Sequence, residues 1–274
     1  MSEPASAKEQ FPDRLTVACV AVVAYALSNV VHEGLGHGGA CLLVGGTPRL
    51  LTSLQFDGDT TSLSEAACRI IAAGGTVANL IVAAVTIVLL RRARPRAAAA
   101  WFFLWLLATL SLLQATGYLL FSGLGNVGDW AEVVRGWPGG ALWRVGLAAS
   151  GGFAYWMATR WSMGALGSRL HGQGPARASE AYRYTLIAYF TGAILYVAAG
   201  SRDPGGFAIL LISGVAASLG GTSGLAWGPQ LLKDPALGPP TDPLPPLGRD
   251  WRWVGAATLG AGLFVFLLGP GIRL

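Results

Sequence analysis

His32, Glu33 and His37 bring two imidazoles and a carboxylate into the six-residue run HEGLGH, inside an apolar stretch from Leu15 to Val44. An ionisable side chain in a membrane-crossing segment is costly against lipid, so such groups face a protein interior or a wet cavity and mark function. Imidazole nitrogens ligate transition metals, and a neighbouring carboxylate can take a proton from an attacking water. In the zinc-hydrolase pattern HExxH, the two histidines lie on one helix face and the glutamate beside them acts as general base. Here the histidines are five apart instead of four. On a regular α-helix, at about 3.6 residues per turn, five steps leave the rings roughly 140° apart. A π-bulge would restore a common face, and Gly34 and Gly36 make that distortion cheap.

A catalytic zinc site takes three protein ligands and keeps one position open, so two histidines leave one ligand to find. Asp129 and Glu132, one turn apart in DWAEV, are the candidates at matching depth. Asp129 ranks first, because a short carboxylate next to Gly128 suits a close approach to metal. His171 falls on the opposite side. The expected site is therefore His32, His37 and Asp129 around zinc, with Glu33 as base. A structural alternative has the histidines bonding backbone and Glu33 pairing with Arg49. Cys19, Cys41 and Cys68 form no CxxC and read as packing residues, although Cys41 and Cys68 flank one loop.

These residues must be positioned by helices in a bilayer. The chain is 53% hydrophobic and only 12% charged, about half the charge usual in a soluble domain. The expected fold is an all-α polytopic membrane protein, with apolar runs at 15–44, 67–90, 98–121, 141–162, 184–200, 205–227 and 252–269, seven in number. It forms one integral membrane domain over 1–274, with a core at about 15–135, additional helices over 141–274 and a proline-rich linker at 233–249. Between the first two runs, TPRLLTSLQFDGDTTSLS alternates apolar and polar residues, which predicts a small β-hairpin turning at Asp57-Gly58-Asp59. The net charge of +5 comes from arginines clustered between apolar runs; this sets membrane orientation and excludes nucleic acid as a partner.

The order of these features resembles the site-2 protease family of intramembrane zinc metallopeptidases. In that family an HExxH helix is followed by a β-rich loop, a helix opening with GPxxN, and later a membrane-embedded Asp that completes the zinc site. Gly75-Thr76-Val77-Ala78-Asn79 stands in the GPxxN place with Thr76 instead of Pro, and Asn126-Val127-Gly128-Asp129-Trp130 stands in the last. The resemblance implies that Asn79 hydrogen-bonds the substrate backbone. The six-residue form HExxxH is similar to the HELLGH helix of dipeptidyl peptidase III, which implies that the extra residue need not abolish zinc binding.

The resulting expectation is a zinc metalloprotease cleaving a membrane protein or peptide within or beside the lipid bilayer, seated in the cell membrane. A zinc-dependent lipid or amide hydrolase and a non-catalytic scaffold are the alternatives. The basic clusters gather 13 of the 19 Lys and Arg residues on one side, Lys8, Arg94 and Arg96 among them. That makes this side, and the N-terminus, cytoplasmic, and puts the hairpin and Asp129 opposite; site-2 proteases, by resemblance, keep the active site towards the cytosol. Cysteine-accessibility labelling decides: Asp59→Cys is expected to react only with reagent added outside and Arg94→Cys only after permeabilisation, and the reverse pattern overturns the charge-derived orientation.

Overall fold

The computed structural model describes residues 11–93 and 97–274. Lys8, Arg94 and Arg96, which entered the charge argument, lie outside the described residues. In chain order the elements are α1 (Arg14–Leu43), β1 (Thr47–Leu51), β2 (Phe56–Asp59), α2 (Glu65–Ala93), α3 (Ala98–Gly125) and the short α4 (Asp129–Val133). Then follow α5 (Gly140–Gly167), α6 (Gly174–Gly200), α7 (Gly206–Lys233), α8 (Trp251–Leu268) and β3 (Ile272–Arg273).

Five of these helices, α1, α2, α3, α7 and α8, are long and apolar enough to cross a membrane. The other two expected spans form helices of 28 and 27 residues, α5 and α6. Their apolar windows are diluted by Arg144 and Arg160 in α5 and by Arg177, Glu180 and Arg183 in α6. Burial separates inner from outer helices. The most apolar windows of α1 and α3 are 67% buried, whereas that of α8 is 17% buried and leaves most of its surface for lipid. A helix that is hydrophobic all round belongs in the centre, and α3 supplies the fully buried Trp105, Leu106, Leu110 and Leu113. Trp101, which the sequence suggests as an interfacial anchor, is buried and stacked on Trp105.

The hairpin exists, but its turn is elsewhere. Asp57, Gly58 and Asp59 lie in β2, and the chain reverses at Thr52–Gln55. A local turn signal is overruled there by tertiary bonding. Thr52 Oγ1 accepts from the Leu54 and Gln55 amides, both at 3.1 Å, and donates to Asp203 Oδ2 at 2.5 Å. Gln55 Nε2 donates to Asp203 Oδ1 at 2.6 Å, and the Gly205 amide donates to the same oxygen at 2.8 Å. Ser53 bonds the carbonyls of Phe264 and Leu268 in α8, and its own carbonyl accepts from Asn29 of α1. One buried turn thus joins α1, the α6–α7 connection and α8. The sheet has a third strand, β3, antiparallel to β1, in the order β2-β1-β3. All three cysteines are free thiols.

Asp203 is 6% exposed and receives three hydrogen bonds. Asp203→Ala strands Thr52 and Gln55, and is expected to lower stability by about 2–4 kcal/mol, since buried unsatisfied groups and bonds to charge each cost a few kcal/mol. Thermal unfolding in detergent measures it, with Asp57→Ala, which lacks those partners, as the control that should barely move.

Candidate metal centre

The motif adopts the geometry that its spacing demands. Residues Val31–Gly38 of α1 form a π-helix, in which pairing from i to i+5 carries residues five apart round to the same side. His32 and His37 therefore meet, with their Nε2 atoms 3.3 Å apart and their ring planes at 84°. The π segment is stabilised from outside by α2. A Cβ on Gly36 would lie 2.5 Å from Gly75 Cα, so the two backbones touch where glycine alone fits. Gly75 then runs beneath the imidazoles: a Cβ there would lie 2.6 Å from His32 Nε2 and 2.7 Å from His37 Nε2.

Asp129 completes the group. Its Oδ2 is 3.4 Å from His32 Nε2 and 3.5 Å from His37 Nε2. α3 ends at Asn126, which takes a left-handed conformation (φ 54°), and Gly128 follows at φ 84°, turning the chain so that α4 starts with Asp129 over the histidines. α4 is fastened by Trp130 Nε1 donating to Thr76 Oγ1 at 3.0 Å, so Thr76 anchors the carboxylate's helix. Burial pushes the Asp129 carboxyl up, but hydrogen bonds from the two imidazoles outweigh it and hold the group below the usual carboxylate range. Glu132 instead pairs with Arg135 at the surface. Arg49 pairs with Asp59, not with Glu33, and His171 lies against Glu180 in the α5–α6 connection.

His32, His37 and Asp129 thus form a group that could hold a metal ion. His37 Nδ1 lies 2.8 Å from the carbonyl of Ile71. Donation of Nδ1–H to that carbonyl leaves Nε2 with a free lone pair, the usual outer support of a ligating histidine. His32 stacks on Tyr118 of α3, with centroids 4.8 Å apart and planes at 13°. Glu33, 5% exposed, lines a cavity of about 1070 Å³ together with His37, Tyr118 and Asp129. Glu65, Arg69, Glu132 and Arg135 stand around its exposed end, and Tyr155, Tyr196 and the 212–221 stretch of α7 line its far part.

Asn79 is brought to the group but not to the cavity. It is 0% exposed, is absent from the cavity wall, and its Nδ2 lies 3.1 Å from His32 Nδ1 and 3.2 Å from Gln114 Oε1. Tyr118 and Gln114 were missed by sequence reasoning. Gln114 carried a signal, as the one carboxamide in the apolar run of α3; Tyr118 carried none. Comparisons with protein-family models, with curated proteins and with solved structures give no match for this chain.

The purified chain is expected to bind about one transition-metal ion, a stoichiometry set by a single three-ligand group. Metal analysis should show its loss in His32→Ala, His37→Ala and Asp129→Ala and its retention in Glu132→Ala. Gly75→Ala should also lose metal, because its methyl occupies the space in front of both Nε2 atoms. Full metal content in Asp129→Ala would place the third ligand elsewhere.

Proposed function

We propose that this chain is a membrane-embedded zinc metalloprotease that hydrolyses peptide bonds within or next to the bilayer. The carrying observation is the triangle of Nε2, Nε2 and Oδ2, with edges of 3.3, 3.4 and 3.5 Å, formed next to a buried glutamate on a cavity wall. Zinc bonds of about 2.0–2.2 Å in a tetrahedron require ligand–ligand edges of roughly 3.3–3.6 Å. The donor set supports the same ion. Two imidazoles suit zinc and its neighbours, whereas magnesium and calcium take oxygen ligands. Two histidines and one carboxylate also leave a fourth position open, as catalytic zinc sites do.

When bound, zinc supplies Lewis acidity for the scissile carbonyl and for water. The chain's own residues do the rest. Glu33 faces the cavity beside the ligands, where its carboxylate accepts the proton of the attacking water and returns it to the leaving amine. Asp129 and the two histidines would hold the charge at one point. Gln55, Phe56 and Thr60 bring the β2 end of the hairpin to the cavity, and β2 is an edge strand of the sheet. An extended peptide can add to such an edge through its backbone, which favours a peptide over other amides. The reading of the chain as a non-catalytic scaffold relied on the five-residue spacing disabling the site, and the π segment removes that reason.

A second reading, a zinc-dependent lipid or amide hydrolase, is favoured by the far part of the cavity, where Ile212, Val215 and Leu219 offer room for an acyl chain. Product analysis separates the two. Wild-type protein is expected to cleave members of a membrane-peptide library and to leave phospholipid and ceramide vesicles intact. Glu33→Gln should keep its zinc and its fold while hydrolysis falls about 100 to 10,000-fold, the usual contribution of positioned acid–base catalysis. Lipid products with no cleaved peptide would favour the second reading, and unimpaired cleavage by Glu33→Gln would remove Glu33 as the base.

A further inference from the structure

We infer that Asn79, backed by Gln114, is a positioning residue that sets the ring tautomer of His32 for metal ligation. The inference rests on the metal reading of the His32, His37 and Asp129 group and not on the protease reading. Nε2 of His32 points at His37 and Asp129, so it is the ligating atom, and a neutral imidazole that ligates through Nε2 carries its hydrogen on Nδ1. That hydrogen needs an acceptor. For His37 the acceptor is the Ile71 carbonyl. For His32 the facing group is the Asn79 carboxamide, at 3.1 Å.

In the structure Asn79 presents Nδ2 to the ring, and its Oδ1 is buried without a partner. That arrangement suits the opposite tautomer, with Nδ1 accepting and Nε2–H aimed at Asp129. Half a turn of the amide brings Oδ1 against Nδ1–H, as ligation demands. Gln114 can follow. Its Oε1 now accepts from Asn79 Nδ2 at 3.2 Å and from Ser28 Oγ at 2.7 Å, while its Nε2 donates to the Tyr196 hydroxyl at 3.0 Å. Turning Gln114 as well offers Nε2–H to Asn79 Oδ1 and to the Ser28 oxygen, and turns Oε1 to the Tyr196 hydroxyl, which then donates to it instead of to the Tyr25 carbonyl at 3.3 Å. Each of these partners is an amide or a hydroxyl, able both to donate and to accept. The chain of bonds from His32 through Asn79 and Gln114 can therefore run in either direction, and the direction that places Oδ1 against Nδ1–H is the one that suits ligation through Nε2. Simple glue between helices is the competing role for two buried carboxamides, and it predicts no effect on metal affinity once the protein is folded.

The test uses the full-length chain in detergent, with zinc affinity read by competition against a chromophoric chelator and ligand geometry read from the absorption of the cobalt-loaded protein. Asn79→Leu is expected to weaken zinc binding by about 10 to 100-fold, the usual loss when an outer-shell partner of a ligand is removed, and to alter the cobalt bands. Asn79→Asp offers only acceptor oxygens, so it should keep affinity within a few-fold of wild type and restore the cobalt spectrum. Gln114→Leu should give a smaller loss than Asn79→Leu. Wild-type affinity and spectrum in folded Asn79→Leu would overturn the inference, and so would an Asn79→Asp protein as weak as Asn79→Leu. If Asn79→Leu fails to fold, Asn79→Asp alone decides, with retained zinc supporting the acceptor role and lost zinc refuting it. Absence of zinc from wild type would defeat the metal reading itself, whereas zinc bound without peptide cleavage would leave this assignment standing and defeat only the protease reading.

Discussion

The site depends on a contact between two backbones. Gly36 of α1 and Gly75 of α2 approach so closely that no side chain fits between them, and this contact holds α2 against the π segment. Three consequences follow from it. The imidazoles have a floor, Asn79 lies one turn further along α2 at the depth of His32, and Thr76 is placed to receive Trp130 and so to seat Asp129. Close approach of glycine-bearing helices is a general means of association in a bilayer, where apolar surface alone provides little preference for one neighbour over another. Here the same means sets the positions of the side chains that could hold a metal ion.

A second constraint keeps the hairpin over that segment. The Thr52–Gln55 turn is bonded to three separate elements, and its carboxylate partner, Asp203, belongs to none of the helices that carry the ligands. The additional helices beyond the first 135 residues are therefore more than bulk. They hold the strand that borders the cavity, and α7 supplies the cavity's far wall.

Much of the site was legible in the sequence because its evidence was local. Five-residue spacing with glycines between the histidines implies a π distortion, and the need for a third ligand at matching depth singles out Asp129 over most other acids. What escaped depended on tertiary partners. The turn signal in Asp57-Gly58-Asp59 was real as composition, but Asp203, Phe264 and Leu268 fixed the reversal five residues earlier. The two-residue β3 has no pattern of its own and exists because β1 offers an edge. Whether Asn79 faces the cavity or His32 depends on the register between α1, α2 and α3, which no single segment records. Helices α5 and α6 were recognised as helices, while their arginines left them short of the apolarity of a span.

α7 is fastened near both of its ends. The Asp203–Gly205 turn holds its start to the hairpin, and further along the Gly224 amide donates to Tyr155 at 2.9 Å, with the helix pressed closely against Thr159 and Met163 at Gly224 and Gly228. Between these points lies the π-helix Leu210–Gly220, much of which lines the cavity. A beam clamped at both ends yields to load by bowing at mid-span instead of swinging from one end. Bulky cargo would therefore load the middle of α7, and the positions of His32, His37 and Asp129 would be insulated from the size of what occupies the far part of the cavity.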